Sequence, residues 1–292
     1  MAHINAIAFV FLQRLLPRYL LTAFVHRLAR IRLRPVKDFL IRRFVAIYDV
    51  DTTEPDRAVP RDYVTFNEFF TRALAPGQRP VDETPGAIVS PADGTVSAVG
   101  SIDKHQILQA KGAYYSLQDL LATDLDDADR FVDGNFITIY LAPFNYHRVH
   151  SPLAGELVAA RYVPGDLFSV NAATVSRIPR LFARNERLIC HFDTSSGPLI
   201  LILVGAMNVG SISTNWTGEI RPRKTGVVSD IDLIESGETL SVSRGGLLGW
   251  FNMGSTVIVL TPPGSTHWRD DLIAGCSVSM GQRIGTIVTL GP

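Results

Sequence analysis

Two rhythms of apolar and polar residues divide the chain near position 50. The opening run INAIAFVFL, from Ile4 to Leu12, is almost wholly apolar until Gln13, Arg14 and Pro17 interrupt it. RYLLTAFVHRLARIR, continued to Arg34, then sets Leu21, Phe24, Val25 and Leu28 on one helical face and Arg27, Arg30 and Arg34 on another. VKDFLIRRFVAIY repeats the mixture. The spacing predicts helices whose apolar sides are flanked by arginine. The opening run is well short of the roughly 20 apolar residues that cross a bilayer. It also lacks the basic start and small-residue cleavage site of a secretory signal, so none is expected.

Beyond the polar linker DTTEPDRAVP the period shortens. TFNEFFTRAL reads as a short helix, with Thr65 as N-cap and Glu68 completing a capping box. From Ala87 onward, short β-prone runs alternate with Gly, Pro and Asp: GTVSAVG, NFITIYLAP, GELVAARYV, RLICHF, PLILILVGAM, TLSVS, STVIVL and RIGTIVTL. SLQDLLATDLDDADRF, capped by Ser116, is the one clear helical interruption. Many strands at short spacing predict a mainly β domain over residues 51–292, a sandwich or barrel-like core. With the helical segment at 1–50 in front of it, the expected class is α+β overall.

Composition sharpens this picture in two places. A hydrophobic content of 46% and a charged content of 19% over 292 residues exclude a disordered chain. The formal net charge of zero hides an asymmetry: residues 1–48 carry nine basic side chains and one acidic, a net +8, which leaves −8 for the rest. Apolar helices with an arginine excess describe segments that lie on a membrane surface rather than span it. Each basic residue near an anionic leaflet adds on the order of 1 kcal/mol. A nucleic-acid arm would not need so much Leu, Phe and Ile, so no nucleic-acid partner is expected. Cys190 and Cys276 are too few and too far apart for a disulfide framework or a thiolate zinc cluster.

Three stretches concentrate reactive side chains. SPADGTV holds Asp93, APFNYHRVHSP holds His147 and His150 at i, i+3, and GWFNMGSTVIVL holds Gly254-Ser255. Taken singly each is ordinary, since Asp-Gly is a common hairpin turn and two imidazoles make a weak metal signal. Together they offer a hydroxyl nucleophile, an imidazole base and a carboxylate to orient it. The serine is not in a G-x-S-x-G elbow, and a strand pattern rather than a helix follows it. That arrangement suits attack by Ser255 on the carbonyl of Gly254 itself. Glycine fits the role because a residue without Cβ enters strained conformations that expose its carbonyl. An N-to-O acyl shift and β-elimination would cut the chain and leave a dehydroalanine that hydrolyses to a pyruvoyl cap. Two other readings stay open on residues alone. One is a zinc hydrolase with His147, His150 and Asp93 as ligands. The other is a carrier module using one of Lys37, Lys104, Lys111 and Lys224.

FNEFFTRALAPGQRPVD, SPADGTV, YLAPFNYHRVHSPLAG, GAMNVGSI and GWFNMGSTVIVL, in this order, resemble the membrane-associated, pyruvoyl-dependent phosphatidylserine decarboxylases. The resemblance runs from about residue 65 to 260 and extends to the basic helical N-terminus. It implies decarboxylation of phosphatidylserine to phosphatidylethanolamine and CO2 through a Schiff base with a pyruvoyl group made from Ser255. It implies cleavage between Gly254 and Ser255 into a β chain, 1–254, and an α chain, 255–292, that stay together as a heterodimer. Further homo-oligomerisation is left open. Asp93, His150 and Ser255 match the family's charge-relay set for self-cleavage, and His147 matches a histidine associated with decarboxylation. A peripheral place on the cytoplasmic face of the cell membrane, against an anionic surface, is implied as well. One departure stands out. Where the family often shows an acidic pair after Arg-Gly, this chain has Gly246 and Leu247.

Overall fold

The structure, a computed structural model, describes residues 10–13, 15–110, 112–123, 128–207, 211–223, 225–233 and 240–288. Residues 4–9 of the opening run, Arg14, Lys111, Lys224 and positions 208–210 of GAMNVGSI lie outside that set. The predicted class holds: a mainly β body follows N-terminal helices.

The body is built on one antiparallel sheet. Its principal strands are β1 (Gly94–Ser101), β2 (Asn135–Leu141), β4 (Gly155–Val163), β5 (Arg187–Thr194), β6 (Gly197–Val204) and β8 (Ser255–Thr261). A second sheet contains β3 (Arg148–His150) and β7 (Leu247–Phe251). Across the main sheet the order is Ser229–Ile231, β4, β5, β6, β8, β2, β1 and Ser277–Val278, with Leu240–Val242 also on β4. β8 is therefore central. It pairs with β2 from Ser255↔Leu141 to Thr261↔Asn135, and with β6 from Thr256↔Val204 to Leu260↔Ile200. All seven of its residues are buried, which is why STVIVL shows no polar alternation. Each of Val257, Ile258, Val259 and Leu260 contributes about 1.5–3 kcal/mol by leaving water.

The four-stranded second sheet runs Gly218–Ile220, Ile212–Thr214, β7, β3. A third sheet joins Ala87–Val89, Arg283–Ile287 and Thr266–Trp268. Most strand predictions match these elements. Two short helices, Ala172–Val175 and Leu181–Arg184, add to the single interruption expected at Ser116. Within that interruption a helix spans Leu117–Leu121 and ends where Ala122 turns left-handed at φ 48°, and residues 124–127 lie outside the described set.

The helical segment comprises α1 (Arg18–Ala29) and α2 (Arg34–Tyr48), with α3 (Phe66–Phe70) beneath them. Thr65 caps α3 through the Glu68 amide at 3.1 Å, and the Glu68 carboxylate reaches back to the amide of Val64. A separate hydrophobic cluster of Ala29, Ile41, Tyr63, Phe66, Phe69 and Phe70 fixes the three helices together, and Met253 packs against it. The apolar face predicted for α1 is only partly buried. Thr22 and Ala29 make the tight contact, while Leu20 is 72% and Phe24 63% exposed. Small residues allow the close approach, while Leu21, Val25 and Leu28 stay half-buried. Part of the arginine excess is spent on the acidic body, with Arg18 on Asp166 and Arg30 on Glu219. No helix among the described residues is long and apolar enough to cross a membrane.

Candidate active site

Two connections pass side by side from the main sheet to the second one. The first, residues 142–147, leads from β2 to β3. The second, residues 252–254, leads from β7 to β8. The amide of Phe251 donates to the carbonyl of His147 at 3.1 Å, which locks the two together. In the first connection, Asn145 closes a tight turn by accepting from the Ala142 amide at 2.8 Å. In the second, the Asn252 side chain is held by the hydroxyls of Ser211 and Ser213 and by Asn67. The Gly254–Ser255 bond thus sits at the seam of two sheets, between well-anchored neighbours.

His147 faces that bond. Its Nε2 lies 3.8 Å from the place a Cβ on Gly254 would occupy. Its Nδ1 donates to the carbonyl of Asn145 at 2.8 Å, so Nε2 carries the lone pair. The ring is fully buried against Phe70, with centroids 4.1 Å apart. Neither His147 Nε2 nor the Ser255 hydroxyl has a hydrogen-bond partner, although both are buried. Burial holds the imidazole pKa far below its ordinary value, at about 3; the Asn145 bond opposes this and the charge of Arg72 adds to it.

His150 is placed differently. Its Nδ1 donates to the carbonyl of Gly245 at 2.8 Å, and its Nε2 accepts from the Tyr146 hydroxyl at 3.0 Å. Gly245 must be glycine here: its φ is +75°, and a Cβ would stand 2.5 Å from Val81. Burial lowers the His150 pKa, against the Gly245 bond and the nearby charge of Asp93, which raise it. Asp93 itself is bound by Arg79 through both oxygens and by the Met280 amide at 2.8 Å. Arg79 in turn holds Glu54. The structure therefore gathers Asp93, His150, His147 and Ser255 in one region but draws no hydrogen bond among the four. Asp93-Gly94 is not a hairpin turn, since Gly94 already pairs with Val278. Backbone strain at Gly254 is also not observed. Its φ is not left-handed, and a Cβ would meet only ordinary contacts at 3.6–3.8 Å.

A family model described as phosphatidylserine decarboxylase matches residues 66–286, and one described as PSD matches residues 8–49. The chain belongs to the phosphatidylserine decarboxylase family. Among curated relatives named phosphatidylserine decarboxylase proenzyme, the protein of Methylococcus capsulatus is 49% identical, over 95% of this chain and 96% of its own length. The protein of Ectopseudomonas mendocina is 46% identical over 95% and 97%, and that of Nitrosococcus oceani 45% over 95% and 90%.

In this decarboxylase-family chain several site neighbours were legible in the sequence only as part of the run FNEFFTRALAPGQRPVD, with no role of their own. Phe70, Thr71 and Arg72 grip the His147 turn through ring stacking, a bond from Arg148 to the Thr71 carbonyl, and a bond from Arg72 to the Phe144 carbonyl. Their lead was the FFTR of TFNEFFTRAL, which also reads as an ordinary amphipathic helix end. The family departure at Gly246 and Leu247 falls beside the site, because Leu247 pairs with His150 across the ladder. Among the described residues no three His, Cys, Asp or Glu side chains are grouped to hold a metal ion. Asp93, His147 and His150 each direct their ring or carboxylate atoms to separate partners. Two adjoining cavities reach the seam. One, of about 320 Å³, is lined by Gly254, Met253, Phe70, Phe44 and Tyr48. The other, of about 250 Å³, continues it between α1 and α2 along Val25, Leu28, Leu40 and Ile47.

Proposed function

We propose that this chain decarboxylates phosphatidylserine to phosphatidylethanolamine, using a pyruvoyl group that it makes from Ser255 by cutting itself after Gly254. The observation that carries the reading is the pair of buried, unpartnered polar atoms at the seam, Ser255 Oγ and His147 Nε2. Groups left unsatisfied in a dry site cost about 1–3 kcal/mol each, and such arrangements persist at functional positions. The open surroundings of Gly254 and the cavity that reaches it also fit a reactive carbonyl there.

Self-cleavage uses only groups of the chain. Ser255 Oγ attacks the Gly254 carbonyl carbon; the C–O bond forms and the C–N bond breaks, so an ester replaces the amide. His150 takes the serine proton once the Tyr146 hydroxyl releases its Nε2, and Asp93 favours the resulting imidazolium by its charge. His150 passes that proton to the departing nitrogen of residue 255; neutral again, it takes the Ser255 Cα proton as elimination breaks the Cβ–Oγ bond, leaving a carboxylate on Gly254 and dehydroalanine at 255. Water converts the latter to a ketone with release of ammonia. The two fragments stay joined because β8 is buried between β2 and β6.

A pyruvoyl group at 255 supplies a ketone that joins the substrate amine and draws off the electron pair left when carbon dioxide departs. His147 is too weak a base to serve the cleavage well, but its protonated form is a strong acid. It returns a proton to the substrate carbon after carboxylate loss. Leu20, Phe24 and Ile47 on α1 and α2 dip into the bilayer, and the apolar cavity between these helices takes acyl chains toward Met253.

Intact mass spectrometry of denatured protein tests the reading. Two fragments with a small chain that reacts with carbonyl reagents, together with release of labelled CO2 from serine-carboxyl-labelled phosphatidylserine, are expected. A single chain that no carbonyl reagent labels would end the proposal. Removal of residues 1–45 is expected to weaken flotation with anionic vesicles, and undiminished flotation would end the membrane part.

A further inference from the structure

The His147 turn is backed by a charge with no counter-ion. Arg72 is 2% exposed, and no carboxylate pairs with it among the described residues. Its Nη2 donates to the carbonyl of Phe144 at 3.1 Å, whereas Nε and Nη1 are buried without partners. The guanidinium lies over the Phe69 ring, 5.3 Å from its centroid, and Arg79 sets a second positive charge nearby. Glu54 and Asp93 act on it from a distance and are both bound by Arg79. Tyr63 lies beside it with its own hydroxyl unpartnered.

Burying a guanidinium without an ion pair costs several kcal/mol, and an apolar side chain of similar volume would relieve that cost. Stability alone therefore does not account for arginine at 72. Two consequences of its place concern His147. The bond to Phe144 holds the same connection whose next residue, Asn145, fixes the imidazole tautomer. The charge also opposes a second positive charge on the ring.

We propose that Arg72 is a positioning residue for His147, holding its turn through Phe144 and placing a buried positive charge with no ion-pair partner behind the imidazole. The proposal rests on the decarboxylation role given to His147, but its test does not. Arg72→Gln keeps a donor for the Phe144 carbonyl and removes the charge. Arg72→Lys keeps the charge and loses the planar fork. Both are made in the full chain, and the extent of cutting reports folding.

Histidine-labelled protein is titrated by nitrogen NMR down to the lowest pH at which the fold survives. The protonated fraction of His147 is expected to rise about tenfold in Arg72→Gln, the effect of one pKa unit, and to stay near wild type in Arg72→Lys. An unchanged His147 titration in Arg72→Gln overturns the proposal, as does a lysine variant indistinguishable from the glutamine one. A shifted titration in a protein that proves not to be a decarboxylase would leave the electrostatic assignment standing and remove only the reaction built on it.

Discussion

His147 and His150 lie three residues apart and have opposite surroundings. At His147 the ring is dry, its Nε2 is unpartnered, and the nearest charge is a buried cation. At His150 both nitrogens are engaged, and the ring feels the cation of Arg148 as well as the anion of Asp93. Burial lowers the proton affinity of both. Only at His150 does a carboxylate oppose that effect. The lesson is that two imidazoles of one connection between sheets are suited to different work, one to accepting a proton and one to giving it away. The start of β3 between them points them to different neighbours, Gly254 for the first and Tyr146 and Gly245 for the second.

Removing the shared reactant should abolish both roles at once. Ser255→Ala is expected to yield one uncut chain with no decarboxylase activity, checked by denaturing mass spectrometry and CO2 release. Two chains from this variant would place the origin of the electrophile elsewhere and dissolve the comparison.

Separating the histidines is the next largest effect. His150→Ala should leave the chain uncut over times in which wild type is fully processed, because loss of a general base slows such a step by on the order of 10²–10⁴. The pH dependence has a definite sign. Neutral His150 is the required form and its pKa is lowered, so cutting should be flat through neutral pH and fall only below the ordinary histidine range. A decline that begins above pH 7 would assign the base to another group.

His147→Ala sharpens the contrast from the other side. It is expected to be cut normally yet to lose roughly 10²–10⁴ in kcat for decarboxylation, the usual weight of a positioned acid. The measurement is turnover of the isolated, processed variant. A His147 variant that stays uncut, with a His150 variant that cuts, would reverse the two assignments.

Much of this site could be read before any coordinates. Asp93, His147, His150 and Ser255 each lie in a short run with its own signal, and the strand after Ser255 is plain in STVIVL. What could not be read is which polar atoms are satisfied. Tyr146 looks like one more residue of a β-prone turn, yet it occupies the nitrogen that His150 needs. Arg79 stands in the family-like run FNEFFTRALAPGQRPVD as a loop cation without an assigned role, yet it holds both Glu54 and Asp93. Those facts depend on contacts between residues far apart in the chain, about which local periodicity carries no information. The helices show the same limit. Their apolar faces were legible, but the side chains that pack inward, Thr22 and Ala29, are small ones that a hydrophobicity pattern underrates.

Tyr146 gives the smallest and most informative test of the comparison. Its hydroxyl donates to His150 Nε2, and the serine proton needs that same lone pair. Releasing a hydrogen bond of this kind costs about 0.5–1.5 kcal/mol net. If the bond only occupies the nitrogen, Tyr146→Phe removes that cost and self-cleavage should accelerate by roughly two- to tenfold, with Gly245 still orienting the ring. The rate is read from the uncut fraction after rapid refolding or cell-free synthesis. Slower cutting in the phenylalanine variant would mean that the hydroxyl carries the proton between Ser255 and His150. The two histidines would then differ by a relay at one and its absence at the other, rather than by the charges around them.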